Sequence, residues 1–153
     1  MKVFCKDKDN YIIFSNQHQN QHLFDSWSFI HVNNMLITFI ILDTFLNKSN
    51  ALLLSLILCV FFEFIENSSI GHYFMKKAGY PKYRGDTLIN VIGDIICDLI
   101  GIYIGYNISF FNFNKKMLYL SSIFILLEII PYYLSNEGVI YSWINLFKNI
   151  NKN

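Results

Sequence analysis

Four stretches of this chain are apolar for about as long as a helix needs to cross a lipid bilayer: residues 28–47, 51–67, 87–106 and 117–135. The hydrocarbon layer is about 30 Å thick and a helix rises about 1.5 Å per residue, so roughly 20 mostly apolar residues are needed. A chain of 153 residues has room for one domain, and its 54% hydrophobic content exceeds that of an ordinary soluble protein. The expected fold is therefore all-α. It is an integral membrane bundle of four transmembrane helices over residues 28–147, flanked by polar tails at 1–27 and 148–153. Within it, "GVIYSWINLF" is too short to span and is expected as a C-terminal interfacial helix.

Local signals fix the connections. The short polar turn "NKSN" makes a hairpin of the first two spans. Asp86 and Thr87 offer N-cap chemistry for the third, and Pro131 is expected to kink or end the fourth. Trp27, Tyr132 and Tyr133 fall where an interfacial aromatic belt belongs. The first 22 residues contain only a four-residue apolar patch, shorter than a signal-peptide core, so the tail reads as retained. Cys5, Cys59 and Cys97 form no C-x-x-C pair, and the last two lie in apolar runs where cysteine packs as a small hydrophobe.

A net charge of +1 gives no reason to expect nucleic acid as a partner. The distribution of positive residues says more than their sum. With four spans, Lys2, Lys6, Lys8, Lys76, Lys77, Lys82, Arg84, Lys148 and Lys152 share one side, against Lys48, Lys115 and Lys116 on the other. This nine-to-three bias predicts that both termini are cytoplasmic.

The acids carry the functional argument. Asp86, Asn90, Asp94 and Asp98 recur every four residues and form one drifting stripe on the third span. Glu63, Glu66 and Asn67 share a face of the second, Ser28, His31, Asn34 and Thr38 trace a line on the first, and Glu128 is the one acid of the fourth. Because successive spans run antiparallel, His31, Glu63, Glu66, Asp86, Asn90, Asp94 and Glu128 can meet in one half of the bilayer. Asp98 lies deeper, and Asp43, near Lys48 at the far end of the first span, reads as interfacial.

Each acid at the centre of a span costs about 2.5–3.5 kcal/mol on insertion scales. No Lys or Arg occurs inside the spans to offset that cost. The compensations left are protonation, a bound cation, a wet cavity, or neutral acids acting as hydrogen-bonding glue between helices. Gly93, Gly101 and Gly105 permit close helix packing, the last two as the GxxxG of "GIYIG". His72 in "SSIGHYF" reads as a solvated loop residue, and the G-x-S-x-G, P-loop and H-E-x-x-H signatures are absent.

"FEFIENS" followed by "KYRGDTLINVIGDIICD" resembles a group of small, uncharacterised polytopic membrane proteins. In that group E-x-x-E-N-S precedes Y-x-G-D-[ST]-x-x-N-x-x-x-D. More distantly the pattern is similar to the VanZ-like membrane proteins. The resemblance covers roughly residues 25–145 and rests on Ser28, His31, Glu63, Glu66, Asn67, Ser68, Tyr83, Gly85, Asp86, Thr87, Asn90 and Asp94. The closing "SNEGVIYSWIN" departs from it in lacking a basic residue before its polar pair. The resemblance implies the architecture and no reaction.

The first functional expectation is a membrane-embedded enzyme or binding protein for a phosphate-bearing lipid, with membrane lipids as its surroundings. A divalent cation, Mg or Mn, would be held by Glu63, Glu66, Asp86 and Asp94. Glu63, Glu66, Asp86 and His31 are the catalytic candidates. Arg84, beside the basic loop, would bind phosphate, with Tyr83, Asn67 and Asn90 as further substrate-binding candidates. The alternatives are a proton or cation carrier and an accessory structural protein.

Overall fold

The computed structural model describes residues 22–25, 27–80 and 83–135, together with 140, 144, 145, 147 and 148. Their regular structure is helical: α1 (Trp27–Phe45), α2 (Lys48–Glu66), α3 (Ser69–Lys77), α4 (Leu88–Ile108) and α5 (Phe113–Ser135). Three of these, α1, α2 and α4, are long and apolar enough to cross a membrane. The expected interfacial helix and the first 21 residues fall largely or wholly outside the described residues.

The helices begin where short polar side chains can bond free N–H groups. Asn47 caps α2, its side chain accepting the Asn50 N–H at 2.9 Å. Lys48, Ser49 and Asn50 are thus the first turn of α2 and not part of a loop, which corrects the expected "NKSN" turn. Ser68 caps α3, and Thr87 caps α4 as anticipated, accepting the Asn90 N–H at 3.4 Å. The segment after α2, expected as loop, contains the nine-residue α3, whose last turn carries Lys76 and Lys77 where cations favour the helix dipole. α5, the fourth of the expected spans, does not end at position 131 but runs on to Ser135. A proline removes one backbone donor, which a long helix tolerates when neighbouring groups bond the freed carbonyl.

α1 is the centre of the molecule and packs against α2, α4 and α5, most extensively against α4. Its Met35, Leu36, Phe39 and Ile40 form a core with Ala51 and Cys59 of α2 and Ile102 and Ile108 of α4. Close approach of α1 and α4 depends on glycine. A Cβ on Gly101 would strike the backbone of Val32 and Leu36, and one on Gly105 would crowd Phe39, while Gly93 makes room for the Leu23 carbonyl ahead of α1.

α2 shows how one-sided the packing is. Ala51, Ser55, Cys59 and Glu63, four residues apart, make its only fully buried edge. Leu53, Ile57, Phe61 and Phe64 are 60%, 55%, 56% and 73% exposed. An apolar face of that extent is costly in water and neutral in lipid, so it marks a membrane-facing surface.

α5 runs antiparallel to α1, with Lys116 Nζ 3.7 Å from Asp43 Oδ2 at one end. Asp43 therefore pairs with α5. Lys48, the neighbour expected for it, lies over the Phe110 ring, 3.2 Å from the centroid. Between α1 and α5 lies an open apolar groove of about 410 Å³ lined by Leu36, Ile40, Met117, Leu120 and Phe124.

Candidate metal centre

The site starts with the way α1 begins. Asp25 Oδ1 accepts the Trp27 N–H at 2.8 Å while Ser28 Oγ accepts the Asp25 N–H at 3.0 Å. This reciprocal cap fixes the first turn. His31 follows one turn later and is only 3% exposed. The last turns of α2 bring Glu63 and Glu66 to it from one side, and α4 brings Asp94 and Asp98 from the other.

All four carboxylates surround one imidazole. Nδ1 of His31 lies 3.2 Å from Asp98 Oδ1 and 3.5 Å from Glu63 Oε1, while Nε2 lies 3.8 Å from Glu66 Oε2 and 4.0 Å from Asp94 Oδ2. Each ring edge thus faces one glutamate of α2 and one aspartate of α4. The i, i+3 and i, i+4 spacings put each pair of acids on one helix face, about one turn apart along the axis.

Hydrogen bonding does not account for this set. Both oxygens of Glu63, Oδ1 of Asp94 and Oδ2 of Asp98 are buried with no hydrogen-bond partner. Buried polar groups are bonded in the large majority of cases, and buried charges are paired or coordinate metals. An imidazolium would offset one negative charge of four, so the remaining carboxylates require protons or a further cation. One ligand atom each from His31, Glu63 and Glu66 lie within 4.8 Å of one another. A hard cation with bonds of about 2.0–2.6 Å keeps its ligand atoms within roughly 4–5 Å of each other, so this spacing suits one.

Beside the cluster a set of hydrogen bonds joins Asn67, just after α2, to Tyr83 and Asp86, just before α4. Asn67 Nδ2 donates to Asp86 Oδ2 at 2.9 Å, the Asp86 N–H donates to Asn67 Oδ1 at 2.7 Å, and the Tyr83 hydroxyl donates to Asp86 Oδ2 at 3.0 Å. Gly85 makes the turn that allows this. Its φ is +88°, and a Cβ there would lie 2.9 Å from His72 Nε2 and 3.1 Å from Asn67 Oδ1. Burial pushes the Tyr83 phenol well above its ordinary pKa, with the Glu66 and Asp86 carboxylates adding to the effect, so Tyr83 stays a neutral donor.

The residues expected in the site therefore divide. His31, Glu63, Glu66 and Asp94 come together as one cluster. Asp86, expected as a metal ligand, is instead engaged by Asn67 and Tyr83, although Asn67 directly follows Glu66 and keeps the two groups adjacent. Asn90 is buried, donates from Nδ2 to the His22 carbonyl at 3.0 Å and leaves Oδ1 unbonded. Arg84 is exposed on the segment before α4, and Lys82 lies outside the described residues. Glu128 accepts the Ile140 N–H at 2.9 Å, which ties α5 to the chain that follows. His72, read as a solvated loop residue, is half-buried against Tyr83, with ring centroids 5.3 Å apart.

Two members escaped the sequence reading. Asp98 sits on the same four-residue stripe as Asp94 but looked too deep to join it; the ring of His31 spans that extra turn. Asp25 lay in the presumed tail, although Asp-x-x-Ser ahead of an apolar run is a capping signal.

Three membrane-length apolar helices around a buried histidine–carboxylate cluster define a membrane protein with a candidate metal site. The chain belongs to the DUF2585 family, described as proteins of unknown function, and matches it over residues 6–150. No curated protein and no solved structure matches it.

Proposed function

We propose that this protein is a multi-pass membrane protein holding a divalent cation, Mn or Mg, between His31, Glu63, Glu66 and Asp94, and that the cation serves to bind or transform a phosphate-bearing lipid. The observation that carries this reading is Glu63: it is 5% exposed, and neither carboxylate oxygen has a hydrogen-bond donor. Neutral glue between helices would leave those oxygens bonded. Imidazole among the carboxylates favours Mn over Mg, because Mg prefers an all-oxygen shell.

The lipid part rests on position. The cluster adjoins the chain segment that holds exposed Arg84 and follows Lys76 and Lys77 of α3. Phosphate groups are commonly held by a metal together with such cations. α5, at 23 residues, serves as the fourth span, and the nine-to-three charge bias favours cytoplasmic termini with the site on that side.

The test is turnover and binding of phosphate-bearing lipids by protein purified in detergent, with Mn²⁺ or with chelator. Metal-dependent consumption or retention of one lipid class, lost in Glu63→Gln and reduced in Arg84→Ala, is the expected result. Metal binding without any lipid effect removes the lipid reading, and cation flux in liposomes without lipid turnover would favour a carrier.

A further inference from the structure

The two edges of the His31 ring are not equivalent. On the Nδ1 side Asp98 Oδ1 is at 3.2 Å, a hydrogen-bond distance, from an aspartate only 1% exposed. On the Nε2 side the nearest carboxylate oxygens, from Glu66 and Asp94, stand at 3.8 and 4.0 Å. Those separations are too long for hydrogen bonds and suit two ligands of one ion. We propose that Asp98 is a positioning residue that holds the Nδ1 proton of His31, so that the Nε2 lone pair faces a cation shared with Glu66 and Asp94.

The chemistry of a neutral imidazole supports the assignment. It carries one N–H and one lone pair, and the partner of the N–H decides which nitrogen is left to ligate. With Nδ1–H given to Asp98, Nε2 directs a lone pair at two carboxylates, an arrangement that is repulsive unless a positive centre lies between them. Asp94, 3% exposed, presents Oδ2 to Nε2 at 4.0 Å, and its other oxygen, Oδ1, is buried without a hydrogen-bond partner. Glu63, whose Oε1 stands 3.5 Å from Nδ1 on the other edge, has no hydrogen bond to hold it there and joins the ion as a ligand by swinging toward the Nε2 side. Histidines that ligate metals typically donate their other N–H to a carboxylate in this way, and loss of that partner costs about 10–100-fold in metal affinity.

The inference rests on the cation reading, and the experiment separates the two. Cd²⁺ is titrated into detergent-solubilised full-length protein containing isotope-labelled histidine, and nitrogen NMR is recorded with His31→Gln for assignment. Wild type should show metal coupling at Nε2 of His31 and a slowly exchanging proton on Nδ1. Asp98→Ala should bind Cd²⁺ about 10–100-fold more weakly and lose the protected Nδ1 proton. Asp98→Asn keeps an oxygen acceptor and should restore both the proton and most of the affinity. Metal coupling at Nδ1, or Asp98→Ala binding within about twofold of wild type, overturns the role of Asp98 while leaving the cation site in place. Absence of Cd²⁺ binding by wild type overturns the cation reading itself, and with it the role assigned to Nε2.

Discussion

Removal of the proposed cation is the perturbation with the largest calculable consequence. A ligand that binds only the folded state stabilises it by RT ln(1 + [L]/Kd), about 2.7 kcal/mol at a hundred times Kd. For a chain of 153 residues each kcal/mol moves the melting temperature by about 2–4 °C, so saturating Mn²⁺ should raise it by roughly 5–11 °C over chelator. Glu63→Gln preserves shape and removes one charged ligand. If that weakens binding about tenfold, the stabilisation at the same Mn²⁺ concentration falls to about 1.4 kcal/mol, and the Mn²⁺ shift halves. In chelator the amide should be no less stable than wild type, because it replaces a buried carboxylate that has no donor. The assay is thermal unfolding in detergent, followed by tryptophan fluorescence. The reasoning is refuted if wild type melts at one temperature with Mn²⁺ and with chelator, or if Glu63→Gln is destabilised equally in both.

Three further outcomes follow from the packing. Gly101→Leu drives a side chain into the backbone of Val32 and Leu36 and should cost about 1–3 kcal/mol or more, read as a fall in melting temperature in chelator, and by moving Asp94 and Asp98 away from His31 it should also shrink the Mn²⁺ shift. Gly85→Ala forces a Cβ onto a φ of +88° against His72 and Asn67. It should cost on the order of 1–3 kcal/mol and, by displacing Asp86, also change Mn²⁺ affinity, which titration calorimetry would detect. Single cysteines at positions 48 and 77 should react with an impermeant thiol reagent from opposite sides of the membrane, since one α2 span separates them; labelling from one side would disprove that span.

Sequence alone determined that the chain is helical and of membrane type, because length and apolarity are local properties and about 20 apolar residues suffice to state them. It also determined which acids share a helix face, since the 3.6-residue period needs no partner to be read. Thr87 was legible as a cap for the same reason. What tertiary structure decided is how far along the axis two helices meet. Gly101 and Gly105 let α4 lie close against α1, and that contact sets Asp98, rather than Asp86, opposite His31. Asp86 belonged to the right face and still went to Asn67 and Tyr83, because the positive φ of Gly85 turns the chain there before α4 begins. A helical period fixes the direction of a side chain around its own axis; only packing fixes the depth at which its neighbours arrive.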